Sequence, residues 1–168
     1  MKMNEPSPLG NERLLAYFTD HLNRICCAKT HLVKRLPEAA SAAHFADVRH
    51  AINETKDDVQ KQIDRMNKIF DLLSAEQSES SCYGMTALLD EALLAINHHA
   101  DDNALRDMAI LFYMQNIESI EQASFQVLQM AAVKLHHKEI SQLLKENYDE
   151  SREDRALLLL LTSKYLVS

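Results

Sequence analysis

Glu118 and Glu121 stand three positions apart, with Gln115 and Gln122 beside them, where they interrupt the apolar stripe of a helical stretch between Phe112 and Phe125. At that spacing two carboxylates share one helix face. Turned toward a core, they can bridge metal ions, exchange protons or pair with a buried cation. Three other stretches interrupt their apolar faces in the same way. Lys29 stands in the series Phe18, Leu22, Ile25, Lys29, Leu32, Leu36, whose steps of three and four trace the inward stripe of a helix. Thr55, Asp58 and Gln62 lie between Val48 and Met66, while Glu150, Ser151, Asp154 and Arg155 lie between Leu144 and Leu158. Buried polar groups are costly unless they are paired or bind a metal. A polar layer at mid-height in four helices is therefore where chemistry, or its remnant, is expected.

The elements that position these residues are helices. The 168-residue chain has two glycines, three prolines and no tryptophan, and Pro6, Pro8 and Gly10 all fall in its first ten residues. The rest is rich in strong helix formers and lacks glycine-bearing hairpin turns. We expect an all-α fold, with a flexible lead-in over residues 1–10 and one bundle domain over 11–168. The first helix starts near Asn11 and runs to about Leu36, Pro37 kinks it, and the alanine-rich stretch 39–43 continues it. A second helix is expected over 46–73, a serine-rich loop over 74–81, and a short helix over 83–97. Asp102 or Asn103 can cap a helix over 104–135, and a tight turn at His136 and His137 leads into a last helix over 138–166. That turn makes the last two helices antiparallel. Four long helices with one short helix in the connection describe a bundle with a crossover.

Composition excludes several classes. A net charge of −7 and a pI near 5.6, with no basic stripe, argue against nucleic acid as a partner. The longest aliphatic run, Leu157 to Leu161, is far shorter than the roughly 20 residues a membrane span needs. The first ten residues lack an apolar signal core, which argues against Sec-type export. Cys26 and Cys27 are adjacent and Cys82 stands apart, so no disulfide framework is visible. The expectation is a reduced, cytoplasmic protein. No phosphate-cradling glycine loop or nucleophile elbow occurs, so the residues favour a non-catalytic role.

Other residues that invite a metal reading have simpler ones. Neighbours on a helix diverge by about 100°, so neither His98–His99 nor His136–His137 chelates from one face. His31 lies one turn from Cys27, but no third ligand is evident. Cys26 and Cys27 read as small core residues. The run Leu157–Leu161 is apolar all round its helix, which suggests burial from two sides and a homodimer interface.

Six segments together resemble the YciE/YciF-type family of bacterial ferritin-like proteins over roughly residues 13–166. Residues 28–37 (AKTHLVKRLP) resemble the family's AEKxLxKALP, and 65–73 (RMNKIFDLL) its RLEqvFelL. Residues 82–89 (CYGMTALL) are similar to CxAMxGLi, and 104–110 (ALRDMAI) to xxRDxALI. Residues 115–123 (QNIESIEQA) resemble QkVEHYEIA, and 147–155 (NYDESREDR) TLDEEKxAD. The resemblance implies a ferritin-like antiparallel four-helix bundle, commonly dimeric, linked to bacterial stress responses and of undefined biochemical activity.

Departures from the family fall in the ligand layer. Lys29 replaces the Glu of AEK, and the second helix offers Asp58 followed by Gln62. Glu118 and Glu121 persist, but the His between them is Ser119. Ser151 replaces the second Glu of DEEK, and Arg155 replaces the downstream Asp. The first expectation is thus a metal-free bundle, with no cofactor. In it Lys29 and Arg155 stand in for metal cations among Asp58, Gln62, Glu118, Glu121 and Ser151, and the protein acts as a structural or partner-binding component. The second is a pair of iron or manganese ions held by Asp58, Glu118, Glu121 and Glu150, with oxidase or peroxide chemistry. A third is a small-ligand pocket between the helices.

Overall fold

The computed structural model describes residues 9–78 and 82–167. Most of the expected flexible lead-in, residues 1–8, and positions 79–81 of the serine-rich loop lie outside the described residues. The described residues form five helices: α1 (Asn11–Ala42), α2 (Ala46–Leu73), α3 (Tyr83–His98), α4 (Asn103–Lys134) and α5 (Lys138–Val167). Among the described residues there is no strand. Each boundary falls within a residue of the one read from the sequence where a cap or breaker marks it. Asp102 caps α4 by accepting from the N–H groups of Ala104 and Leu105. Pro37 lies inside α1, and the helix continues past it to Ala42.

The bundle is a closed cycle in which α1 packs on α2, α2 on α5, α5 on α4 and α4 on α1. Directions follow from cross-chain contacts. The carboxylate of Asp107, near the start of α4, accepts from the backbone N–H groups of His44 and Phe45, just before α2. Helices α2 and α4 therefore start at the same end and run parallel. Lys164 and Tyr165, at the end of α5, bond Asp47 at the start of α2, so α5 runs against both. Two parallel, diagonally placed helices need a connection that travels the length of the bundle. Residues 74–102 make it, carrying α3, which lies across α1 and α4.

The stripe Leu14, Phe18, Leu22, Ile25, Leu32 and Leu36 of α1 is buried, as are Val48, Ile52, Val59, Met66 and Ile69 of α2. They meet Ile110, Ile117, Phe125 and Leu128 of α4 and Leu144, Leu158 and Leu161 of α5 in one continuous core. The turn between α4 and α5 is closed by His136, which adopts a left-handed conformation (φ 61°) while the His137 N–H bonds back to Ala132 O. Among the described residues no helix is long and apolar enough to cross a membrane.

Candidate functional site

At mid-height the apolar stripes give way to the polar layer. Lys29 is fully buried, though an ammonium at the end of a four-carbon stem normally reaches water. It stays because a partner is waiting: its Nζ donates to Glu121 Oε2 across the α1–α4 interface, and the pair is sealed from solvent. The Phe125 ring, one turn further along α4, lies 5.4 Å from the same ammonium and adds its π-face.

Glu118, one turn before Glu121, is equally buried. Among the described residues neither of its oxygens has a hydrogen-bond partner. Burial above all, and then the neighbouring Glu121 charge, push the Glu118 carboxyl well above the usual carboxylate range; Asp154 adds to the rise and Lys29 opposes it. The shift favours the neutral form of Glu118 beside the Lys29–Glu121 ion pair.

On α5, Asp154 closes the layer. Its carboxyl is raised to about 7, first by burial and then by the Asp58 charge, with Lys29 pulling the other way. Helices α2 and α5 meet through amides: Gln62 Nε2 donates to Ser151 Oγ at 3.5 Å, and Asn147 Nδ2 to Gln62 O at 3.3 Å. From α4, Gln122 Nε2 donates to Ser151 O at 3.3 Å.

The structure thus brings together Lys29, Gln62, Glu118, Glu121 and Ser151. Three other residues singled out from sequence stand apart. Arg155 is not in the layer: its Nε donates to Ser119 Oγ at 2.8 Å on the outer side of α4, one helical step away from the inward stripe. Asp58 is only half-buried and accepts from Lys61 Nζ at 2.6 Å, one turn along α2. Glu150 forms a bidentate pair with Arg65, at 2.6 and 2.7 Å. Arg65 also bonds Asn147 Oδ1 and pairs with Glu146.

Sequence reasoning missed Arg65, Asn147 and the central place of Asp154. Asp154 lies on the stripe Leu144, Asn147, Ser151, Asp154, Leu158, all of it buried, so its phase was readable. Arg65 was hidden because it reaches the layer's rim from the flank of α2.

One expectation is corrected outright. Cys82, immediately before α3, is joined to Cys27 of α1, 55 positions earlier, as a disulfide with Cα atoms 6.1 Å apart. The crossover connection folds back over α1, which spacing along the chain does not reveal. Cys26 is the buried, free thiol, as a core role requires.

The comparisons agree with this architecture. Protein YciF of Escherichia coli (strain K12) is 26% identical over 126 residues, which cover 74% of this chain and 75% of that protein. The crystal structure of the Escherichia coli stress protein YciF superposes with a TM-score of 0.86 at 23% identity, over 91% of this chain and 96% of that one. YcfI from Rhodopseudomonas palustris gives a TM-score of 0.82 at 24% identity, over 94% and 96%. A family model described as a domain of unknown function, DUF892, matches residues 13–165. The chain is a ferritin-like helical bundle and belongs to this YciF-type DUF892 family.

Proposed function

We propose that this protein is a metal-free, non-catalytic bundle that works as a homodimeric structural or interaction component in the bacterial stress response, in the cytoplasm. The observation that carries the interaction reading is the outward face of α4. Between Arg106 and Lys134 that helix has only three charged residues, Asp107, Glu118 and Glu121, and all three are buried. Phe112, Ile120, Val127, Met130 and Val133 are exposed on a helix that already packs against α1, α3 and α5. The steps of seven and eight from Phe112 to Ile120 to Val127 suit a seam against another helix, and absence of charge marks the centre of an interface.

A second copy of this chain is the occupant that fits best. Copies with a net charge of −7 repel one another generally, and this face carries none of that charge. A two-fold axis would lay α4 antiparallel on its own copy over about 30 Å. Leu159 and Leu160 of α5, also exposed, belong to the aliphatic run expected to be covered from a second side. YciF is described as a stress protein and YcfI as a candidate structural protein, which supports the physiological part of the reading.

The residues of the layer do not fit a di-metal centre. Such a centre needs several carboxylates and commonly imidazoles around two cations, and here an ammonium already occupies Glu121. Asp58 and Glu150 are held by Lys61 and Arg65, and no histidine is buried in the layer.

Two measurements test the proposal. Sedimentation equilibrium should find a dimer for the native chain and a folded monomer for Phe112→Glu/Val127→Glu. A native monomer, or a dimer indifferent to both charges, would remove the interaction reading. Protein purified untagged after growth with supplemented iron and manganese should carry less than about a tenth of an equivalent of either at the layer. Near two equivalents, with metal-dependent stabilisation, would favour the alternative of an iron or manganese oxidase.

A further inference from the structure

Cys27 and His31 lie four positions apart on α1, so their side chains share one face of the helix. Cys82, at the end of the crossover loop, is laid on that face. The two sulfurs and an imidazole nitrogen of His31 all fall within 4.8 Å of one another. Cys27 and Cys82 are partly exposed and His31 is exposed, so an ion or a small reagent reaches them from solvent. The third ligand that the sequence near His31 lacks is supplied by a residue 51 positions further on.

The placement is held from both sides. Asn23 Oδ1, one turn before Cys27, accepts from the Ser78 N–H at 2.9 Å and ties the crossover loop to α1. Met85, three residues after Cys82, is buried and anchors the first turn of α3. Cys82 is the residue at the N-terminus of that helix, its carbonyl accepting from the Met85 and Thr86 N–H groups. A thiolate there is favoured by the helix dipole.

We propose that the reduced form of this cluster is a binding site for one zinc-class divalent cation, and that the Cys27–Cys82 disulfide is its oxidised, closed state. Two thiolates and a neutral imidazole are borderline-soft donors suited to Zn²⁺, with water in the fourth tetrahedral position. Binding releases the two thiol protons to solvent and leaves the site electrically neutral. Oxidation by a hydroperoxide removes two electrons from the thiol pair: the S–S bond forms, the O–O bond breaks, and hydrogen peroxide leaves as two waters. A dithiol reductant reverses this by thiol–disulfide exchange, becoming a disulfide itself. Metal occupancy thereby reports the peroxide and thiol balance around the protein. The site is separate from the buried layer and does not depend on whether that layer is metal-free.

Cobalt(II) is the probe, because thiolate ligation gives an intense charge-transfer absorption that carboxylate or imidazole binding elsewhere does not. Anaerobic titration of the fully reduced native chain should reach one equivalent with that band, and zinc should displace it. Cys27→Ser and Cys82→Ser should each reduce the band sharply, while Cys26→Ala leaves it unchanged. His31→Ala should weaken binding by at least the roughly 10–100-fold cost of losing an outer-shell partner. The peroxide-treated native chain, which needs no variant, should bind no cobalt until a dithiol is added. No charge-transfer band in the reduced chain, full binding by the disulfide form, or a band indifferent to Cys82→Ser in protein of native circular dichroism would each overturn the proposal.

Discussion

The Lys29 ammonium and the Glu121 carboxylate, 92 positions apart in the chain, form an ion pair with no exposure to solvent. Charges so placed lose their hydration, and only the partner compensates. Replacing the pair together is therefore mild, while removing one member is not. Lys29→Met should cost about 3–5 kcal/mol in urea unfolding, because it leaves Glu121 buried without a cation. Lys29→Met/Glu121→Gln should recover most of that loss. Additive single and double variants would mean that the two groups are not coupled.

The upward shift of the Glu118 carboxyl gives a sharper contrast between two neighbouring glutamates. Glutamine mimics a protonated glutamate, so Glu118→Gln should change stability at neutral pH by less than about 1 kcal/mol. Glu121→Gln strips Lys29 of its counter-charge and should cost about 3–5 kcal/mol. If denaturation finds the reverse order, the proton sits on the other carboxyl.

Much of this arrangement was legible in the sequence. Stripe periodicity placed Lys29, Gln62, Glu118 and Ser151 inward, because a buried polar residue in phase with leucines keeps its phase. Arg155 was misplaced for the same physical reason: it follows Asp154 by one position, and one step is about 100° around the helix. Two carboxylates were assigned by type, yet their partners on adjacent turns or helices decided their fate. Asp58 goes to Lys61 and Glu150 to Arg65. The approach of Cys82 to Cys27 depends on how the crossover loop folds over α1, and no local pattern encodes that.

Asp154 should give the protein a measurable pH dependence of its own. Its carboxyl is raised from an ordinary 3.8 to about 7 in the fold. Between those values the native state holds a proton that the unfolded chain has lost, so this group's contribution falls as pH rises from about 4 to 7. Below about pH 4 the contribution is fully present, and above 7 it is gone. Asp154→Asn, which cannot ionise, should match the native chain near pH 4. Near pH 8 it should be more stable than the native chain, by on the order of 2–4 kcal/mol. A stability difference that stays flat across this range would show that Asp154 titrates as an ordinary exposed carboxylate.

The corner where α1 turns into α2 depends on a residue from neither helix. Phe45 occupies the cap position of α2 and has no side-chain oxygen to offer; its own N–H and that of His44, just before the helix, take an acceptor from elsewhere. Asp107 of α4, fully buried, supplies it: its carboxylate accepts from His44 N at 2.8 Å and Phe45 N at 2.7 Å. The same corner is closed from α5, where the Tyr165 ring stacks on Phe45 at 4.2 Å and its hydroxyl bonds Asp47. Asp107 thus fixes the parallel start of α2 and α4 on which the crossover topology rests. Asp107→Ala takes the acceptor from two partly buried hydrogen bonds and should cost about 1–2 kcal/mol. Asp107→Asn should recover only part of this, because one amide oxygen replaces two carboxylate oxygens and the NH₂ group faces donors. Hydrogen exchange decides whether the loss is local: amides 44–49 should exchange faster in Asp107→Ala, while those around Leu144 keep their protection relative to the lowered global stability. Uniform loss of protection along α2, with no extra effect at its start, would show that Asp107 acts through packing rather than as the acceptor that holds this corner.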